Sequence, residues 1–281
     1  MTNTISVIIP IYKVQEKNNS HYFEKLIKSI SINLSNCLDR DILKEVIIVN
    51  DFPNHDSTQF IKHIFIKYNL LDKLVIISNK ENLGQARARN IGALQAKGNY
   101  LHFIDQDDYI SDNFYSLLLS KKGADIIFGH PYLHYEGSHR IRNAFKFSSV
   151  LLFKYSKYLS NMKILLFCDI AYSPGQYIIS KFIFEQIGQF PLLTHRGCDD
   201  YGLLFNLANK KKIKIAYQNN AKFFYRIHLN QNRKSLNMRN SITEFFSLHN
   251  RNNLSFRIFK WVKTKNNSII AKFIWLIFFK K

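Results

Sequence analysis

Over the first hundred residues, short apolar runs alternate with stretches in which apolar residues recur every three to four positions. Ile5-Ser6-Val7-Ile8-Ile9-Pro10, Glu45 to Asp51, Leu74-Val75-Ile76-Ile77-Ser78 and Asn99 to Ile104 are nearly continuous β-prone runs. Such runs predict strands buried on both faces, as in a parallel sheet. Between the first two runs, Phe23, Leu26, Ile27 and Ile30 share one face of a helix. Ser57 opens a second helix reaching Tyr68. A third runs from about Leu83 to Ala96, with Gly98 expected at its C′ position. The alternation predicts right-handed βαβ units and an open, mostly parallel sheet with helices on both faces.

Farther on, Ala124 to Gly129 reads as a fifth strand. From His130 to about Phe167 the chain is aromatic and basic without a clean period, and an inserted, partly helical region is expected. Pro174 to Ile179 predicts a turn and a strand, and Phe182 to Ile187 a short helix ended by Gly188. A helix follows Asp199-Asp200, with Leu203, Leu204 and Leu207 on one face. Ile213 to Tyr217 and Lys222 to His228 read as two late strands.

From about Asn253, aromatics and isoleucines are interleaved with Arg257, Lys260, Lys263, Lys265, Lys272, Lys280 and Lys281. That pattern suits an interfacial helix or a helix docked on the core. Ile269 to Phe279 offers no polar face to water, which favours the interfacial reading. The run covers only about half of a ~30 Å hydrocarbon core, so it would lie on a bilayer rather than cross it.

The polar stops carry the chemistry. Pro10 to Tyr12, Asp51 and Asp105-Gln106-Asp107-Asp108 all fall at predicted carboxyl ends of strands, where open α/β sheets bind ligands. Carboxylates crowded as in Asp105 to Asp108 raise one another's pKa, and a divalent cation such as Mg²⁺ or Mn²⁺ relieves the conflict. The alternative is an acidic turn capping a helix near Ser111. Arg87 and Arg89 sit near the third helix's N-terminus, where a cation is unfavourable unless an anion compensates. Arg87 reads as a solvated surface residue and Arg89 as part of a site. Asp199 and Asp200 fit ordinary helix capping, or a second carboxylate site facing the first. His228 is either a metal or phosphate ligand or a surface histidine. No G-x-G-x-x-G turn follows the first strand and no P-loop pattern occurs, which weakens a dinucleotide reading.

The 281 residues are 46% hydrophobic and 15% aromatic, which indicates a globular chain. The net charge of +20 implies an anionic partner: lipid, nucleic acid or a phosphorylated substrate. Neither a basic low-complexity arm nor zinc-finger spacing occurs. The 3 cysteines, Cys37, Cys168 and Cys198, show no C-x-x-C spacing, so a disulfide framework or zinc site is not expected and a reducing compartment fits. The start lacks a basic n-region and a long apolar h-region, so no signal peptide is expected. No apolar run reaches the ~18 residues of a membrane span.

In order and spacing, Val7 to Tyr12, Val46 to Asp51, Asn82-Leu83-Gly84 with Ala88-Arg89-Asn90-Ile91-Gly92, Gly98 to Asp108, Asp199-Asp200 with Leu203, and Tyr225 to His228 resemble family 2 glycosyltransferases of the GT-A fold. The resemblance is close over Ile5 to Asp108 and looser over Pro174 to His228. It implies an α/β Rossmann-like domain over residues 1–230, to which the tail pattern adds a C-terminal helical, membrane-associating extension over 231–281. It further implies an inverting transfer from a nucleotide-sugar, a UDP-sugar in the usual case, to a hydroxyl of a glycan or lipid-linked acceptor. Pro10 and Tyr12 would border the base, Asp51 would hydrogen-bond it, and Arg89 would sit beside the nucleotide. Asp105 would meet the ribose or the metal, and Asp107 would bind Mn²⁺ or Mg²⁺. Asp200 would be the general base, with Asp199 the alternative. The aromatic middle region would face the acceptor. Surface polysaccharide assembly at the cytoplasmic face of the membrane is the expected setting, with an anionic membrane surface as partner and no nucleic acid. Asn50 and Phe52-Pro53 depart from the frequent Asp and Gly-Ser of the family, and Asp199 from a commoner Glu. The competing reading is a non-catalytic basic membrane- or nucleic-acid-binding protein on a GT-A-like scaffold.

Overall fold

The computed structural model describes residues 3–35, 40–53, 55–138, 140–144, 171–195, 197–209, 213–228 and 236–248. The expected alternation is present. Strand β1 (Ile5–Ile11) is buried at every position and leads to α1 (Lys17–Ser35). Next come β2 (Leu43–Asn50), α2 (Thr58–Lys67), β3 (Leu74–Ser78), α3 (Gln85–Gln95) and β4 (Tyr100–Phe103). Strands β3, β2, β1 and β4 lie side by side in that order and are parallel.

The sheet continues into a mixed half. It contains β5 (Tyr109–Ile110), β6 (Ile126–Tyr135), β7 (Arg140–Asn143), β8 (Tyr177–Ser180) and β9 (Ile215–Ile227). Strand β8 runs antiparallel between β4 and β6, β9 runs parallel to β6, and β5 closes the row against β9. Four further helices complete the described fold: α4 (Phe114–Leu119), α5 (Lys181–Gln186), α6 (Asp199–Asn209) and α7 (Leu236–Leu248).

Two cores form because alternate strand residues point to opposite faces. On one face Ile8, Val49 and Phe103 pack with Ala88 of α3, Phe184 of α5 and Leu203 of α6. On the other, Val7, Ile9 and Ile48 pack with Phe23, Leu26 and Ile27 of α1 and Phe65 of α2. Phe103 sits 5.0 Å from the Phe184 ring and 4.9 Å from the Phe190 ring, a fully buried aromatic trio. Burying each such side chain contributes roughly 1.5–3 kcal/mol.

Several sequence expectations are corrected. Gly98 is not the C′ residue of α3: the helix is capped at Ala96 in an extended conformation, which puts Gly98 two residues beyond it. Gly98 is required by close approach instead. A Cβ there would lie 2.5 Å from the Ser6 backbone nitrogen, and the Gly98 N–H donates to Ser6 Oγ at 2.7 Å. Residues from His130 do not begin a partly helical insert. They extend β6 to Tyr135, and Arg140–Asn143 pairs back on it. The two expected late strands are one, β9, whose partner shifts from Gln218 to Lys222 where β6 passes from Gly129 to His130. Residues 145–167 of the expected insert lie outside the described residues. So does the tail from Asn253, together with the interfacial helix expected there. Helix α7 docks on the domain: Phe245 meets the Phe205 ring at 5.3 Å, and Ser241 Oγ accepts from the Cys198 N–H at 2.9 Å. Among the described residues, no helix is long and apolar enough to cross a membrane.

Candidate active site at the carboxyl edge of the sheet

The parallel strands all end at one edge, and the expected polar stops converge there. Pro10, Tyr12, Asp51, Asp105, Asp107, Asp199, Asp200 and His228 line a single open pocket of about 1290 Å³. Asp51 directly follows β2, and both of its oxygens accept hydrogen bonds. Oδ1 accepts from Asn79 Nδ2 and the Leu83 N–H, each at 2.9 Å, and Oδ2 from the Gly84 N–H at 2.8 Å. Gly84, at φ 85°, adopts a backbone conformation that side chains resist, which lets successive amides turn toward one carboxylate. Asp51 therefore anchors the loop that launches α3, and α3 carries Arg89.

Arg89 is fully buried, does not line the pocket, and is tied to three carboxylates. Its Nη2 donates to Asp105 Oδ1 at 2.6 Å; Nη1 donates to Asp200 Oδ1 at 2.5 Å and to Asp199 Oδ2 at 3.2 Å. The anion expected near the start of α3 is thus the protein's own. Burial by itself would lower the arginine's pKa, but the charges of Asp200, Asp105 and Asp199 outweigh it and raise the pKa, so the guanidinium stays charged. One cation against three anions leaves the cluster net negative, a deficit that suits a further cation or a shared proton. Burial, against the pull of Arg89, pushes Asp200 up to about 8, with Asp199 and Asp105 adding to the rise. Asp200 keeps 39% of its side chain exposed toward the pocket, against 13% for Asp199. Arg87 is exposed, as expected.

The acidic run beyond β4 is a tight turn rather than a simple helix cap. Asp105, Asp107 and Asp108 can place one carboxylate oxygen each within 4.8 Å of the others. Burial, the charge of Asp107 and, for Asp108, that of Asp105 push Asp105 and Asp108 above the usual carboxylate range. Hard oxygen donors at this spacing fit a divalent cation. Asp108 is structural as well: buried, it accepts from the Arg226 N–H at 2.9 Å.

Sequence reasoning missed the residues that hold this turn. Arg226 Nε donates to the Asp107 carbonyl at 2.7 Å, and its guanidinium lies over Tyr22 (4.3 Å) and Tyr109 (5.4 Å) and pairs with Glu136. Gln106 exchanges hydrogen bonds with the Tyr12 backbone at 2.9 and 3.0 Å, fastening the end of β1 to the acidic turn. Gln85 Nε2 donates to Asp105 Oδ1 at 2.6 Å. His228 Nε2 donates to Asp107 Oδ2 at 2.9 Å, so the histidine belongs to the pocket and not to open surface. Arg226 lies two residues before His228 in the same late segment, the one cue that could have marked it.

Tyr12, which lines the pocket, stands edge-on to Phe52, ring centroids 5.1 Å apart. Asn50 shapes the loop behind them, accepting from the Phe52 N–H at 3.1 Å and donating to the His55 carbonyl at 3.2 Å. A carboxylate could not make the second bond, which explains the asparagine in physical terms.

The sequence profile of glycosyl transferase family 2 matches residues 6–188, the stretch that carries the Asp51, Arg89 and Asp105–Asp108 part of this site. The chain belongs to that family. Glycosyltransferase GlyA of Streptococcus pneumoniae serotype 4 is 30% identical over 131 residues, covering 46% of this chain and 17% of GlyA. Minor teichoic acid biosynthesis protein GgaB of Bacillus subtilis is 30% identical over 157 residues, covering 52% of this chain and 16% of GgaB. The family 2 chain therefore spans a small part of the length of these relatives. Its fold is shared with the S. aureus TarS fragment 1–349 solved with UDP-GlcNAc (TM-score 0.59, 16% identity, 95% of this chain and 81% of that fragment). It is also shared with GalNAc-T7 solved with UDP, GalNAc and Mn²⁺ (TM-score 0.60, 16% identity, 87% of this chain and 48% of GalNAc-T7). The GT-A class expected from the sequence is thereby shown.

Proposed function

We propose that this chain transfers a sugar, with inversion, from a UDP-sugar to a hydroxyl of a glycan or lipid-linked acceptor. The observation that carries the reading is the meeting of the Asp105–Asp108 turn and Asp200 in one pocket, joined beneath it by Arg89. The relatives support it: TarS was solved with UDP-GlcNAc, and GalNAc-T7 with UDP and Mn²⁺.

In this reading Pro10, Tyr12 and Asp51 border the base, with Phe52 packed edge-on against Tyr12. Asp107 and Asp105 would hold Mn²⁺ or Mg²⁺, with His228 beside them. When bound, the ion neutralises negative charge on the leaving diphosphate. Asp200, held by Arg89 and facing the pocket, takes the acceptor hydroxyl proton as the oxygen attacks the sugar C1 and the bond to the diphosphate breaks. Asp199 serves Arg89 from the more buried side. Arg89 is a positioning residue beneath the nucleotide rather than a contact to it. The net charge of +20 supports an anionic acceptor or an anionic membrane surface on the cytoplasmic side, where nucleotide-sugars are made.

The test is a panel of nucleotide-sugars with Mn²⁺, scored by thermal shift and by nucleotide release. UDP-sugars are expected to raise the melting temperature and to release UDP slowly, with Asp200→Asn keeping the shift and losing the release. Failure of every nucleotide-sugar to shift the melting temperature favours the non-catalytic binding reading instead.

A further inference from the structure

A second cavity, of about 800 Å³, lies on the α1 side of the sheet, outside the pocket described above. Helix α1 separates the two: Asn18, Asn19 and Tyr22 line the first, and His21, Lys25 and Lys28 the second. Lys222 of β9 also lines it, and Tyr68, Tyr109 and Phe224 supply aromatic lining. Among the described residues no carboxylate lies within ion-pair distance of Lys25, Lys28 or Lys222. Of the two carboxylates in the lining, Glu24 is tied to Lys67 at 2.5 Å and to the Tyr68 hydroxyl at 3.0 Å. Asp112 alone is left against three lysines. Lys25 and Lys28 are one helical turn apart, a like-charge spacing that costs stability unless an anion compensates. Lys25 is also held below the ordinary lysine range by burial and then by the Arg226 cation, with the charge of Glu136 opposing the fall.

We propose that this cavity binds a segment of an anionic glycan, its phosphate or carboxylate groups on Lys25, Lys28 and Lys222. The volume is that of an oligosaccharide-sized ligand site and far exceeds a lone phosphate. Ser111 and Asn220 offer the hydrogen-bonding groups that sugar hydroxyls need. Single-stranded nucleic acid is the other polyanion with a taste for aromatics, but it needs open ring faces for its bases. Here the faces of Tyr109 and Phe224 are taken. Tyr109 stacks on Phe224 at 4.6 Å with Lys25 Nζ 4.5 Å from its ring centroid, and Phe224 stacks on Tyr132 at 5.5 Å. The inference stands apart from the proposed transfer reaction, because it needs neither the nucleotide nor the acidic turn.

The test is binding of a galacturonic acid hexamer by calorimetry at low salt, to the full chain and to two variants of equal charge. One is Lys25→Ala/Lys28→Ala/Lys222→Ala. The other, Lys44→Ala/Lys97→Ala/Lys214→Ala, removes three exposed lysines near the amino ends of β2, β4 and β9 that do not line the cavity. The cavity variant is expected to weaken binding tenfold or more and the control by less than threefold, with neutral maltohexaose bound by neither. Circular dichroism checks that both variants fold; if the cavity variant does not, Lys25→Gln and Lys222→Gln are measured singly. Equal losses in the two variants would overturn the proposal, since attraction would then be non-specific. So would inorganic phosphate binding as tightly as the hexamer, or a dT₆ oligonucleotide binding more tightly through the same lysines.

Discussion

Arg89 donates to Asp200 through Nη1 at 2.5 Å while its Nη2 holds Asp105 at 2.6 Å. One fully buried guanidinium thereby couples the carboxylate proposed to take the acceptor's proton to the turn proposed to hold the donor. Breaking a buried ion cluster by removing one partner leaves the others uncompensated, at a cost of roughly 3–5 kcal/mol. Arg89→Gln is therefore expected to lower stability by about that much in urea unfolding. Arg89→Lys keeps the charge but not the fork that reaches both sides, and is expected to fold better and to transfer about 10²-fold more slowly.

The same contact sets a pH dependence. Asp200 must be ionised to accept a proton, so transfer rises with pH through its pKa, near 8 in the free protein. Arg89 pulls that pKa down, so its loss moves the rising limb of kcat/KM to higher pH. A limb that stays in place in Arg89→Gln would show that Asp200 is not the titrating base.

Asp200 and Asp199 differ in ways that assign their roles. Asp200→Asn is expected to retain UDP binding and lose transfer by about 10²-fold or more. Asp199→Asn, farther from Arg89 at 3.2 Å and more buried, is expected to be the milder change. The reverse order would move the base by one residue.

His102, on β4 three residues before Asp105, makes stability acid-sensitive. It is buried and neutral, with Nε2 donating to the Gly175 carbonyl at 2.9 Å and Nδ1 accepting from the Tyr115 hydroxyl at 3.1 Å. Burial, only partly opposed by the Gly175 bond, lowers its pKa from 6.5 to about 4. Above the unfolded value neither state binds the proton. Below it the unfolded chain does so first, so stability falls as pH drops from 6.5 toward 4, by about 3 kcal/mol in all. Urea unfolding at pH 7, 5 and 4 checks this, and His102→Gln is expected to flatten that part of the profile.

Gly98 and Gly92 are both tight, but against different atoms. A Cβ at Gly98 meets the Ser6 backbone nitrogen at 2.5 Å, whereas at Gly92 it meets Ile8 Cγ2 at 2.5 Å, and a side chain can shift. Gly98→Ala is expected to cost at least about 1–3 kcal/mol. Gly92→Ala is expected to cost less, because alanine returns about 1 kcal/mol of helix propensity. Chemical denaturation of the two variants compares them directly.

The parallel half was legible because its strands are buried on both faces and therefore read as unbroken apolar runs. Pro10, Asp51 and Asp105 stood out as polar stops for the same reason. The mixed half was obscured by pairing rather than by composition. Gln218-Asn219-Asn220 interrupts β9 where the register shifts, so one strand read as two. His130 to Tyr135 lacks a clean alternation because β6 is flanked by β7 and β9. Strand β5, of two residues, is too short to leave a period. Arg89 was marked as part of a site by its place near a helix N-terminus, but its partners come from Asp105 and from α6, 110 residues away, and no local pattern reports such contacts.

The central claim is that Asp105 and Asp107 hold a divalent cation together with a nucleotide diphosphate. Calorimetry of UDP binding with and without MnCl₂, on the wild-type chain and on Asp107→Asn, tests it most directly. The account predicts that Mn²⁺ strengthens UDP binding at least tenfold in the wild type and has no effect in the folded variant. Equal affinity with and without Mn²⁺ in the wild type, or an undiminished Mn²⁺ effect in Asp107→Asn, would contradict it.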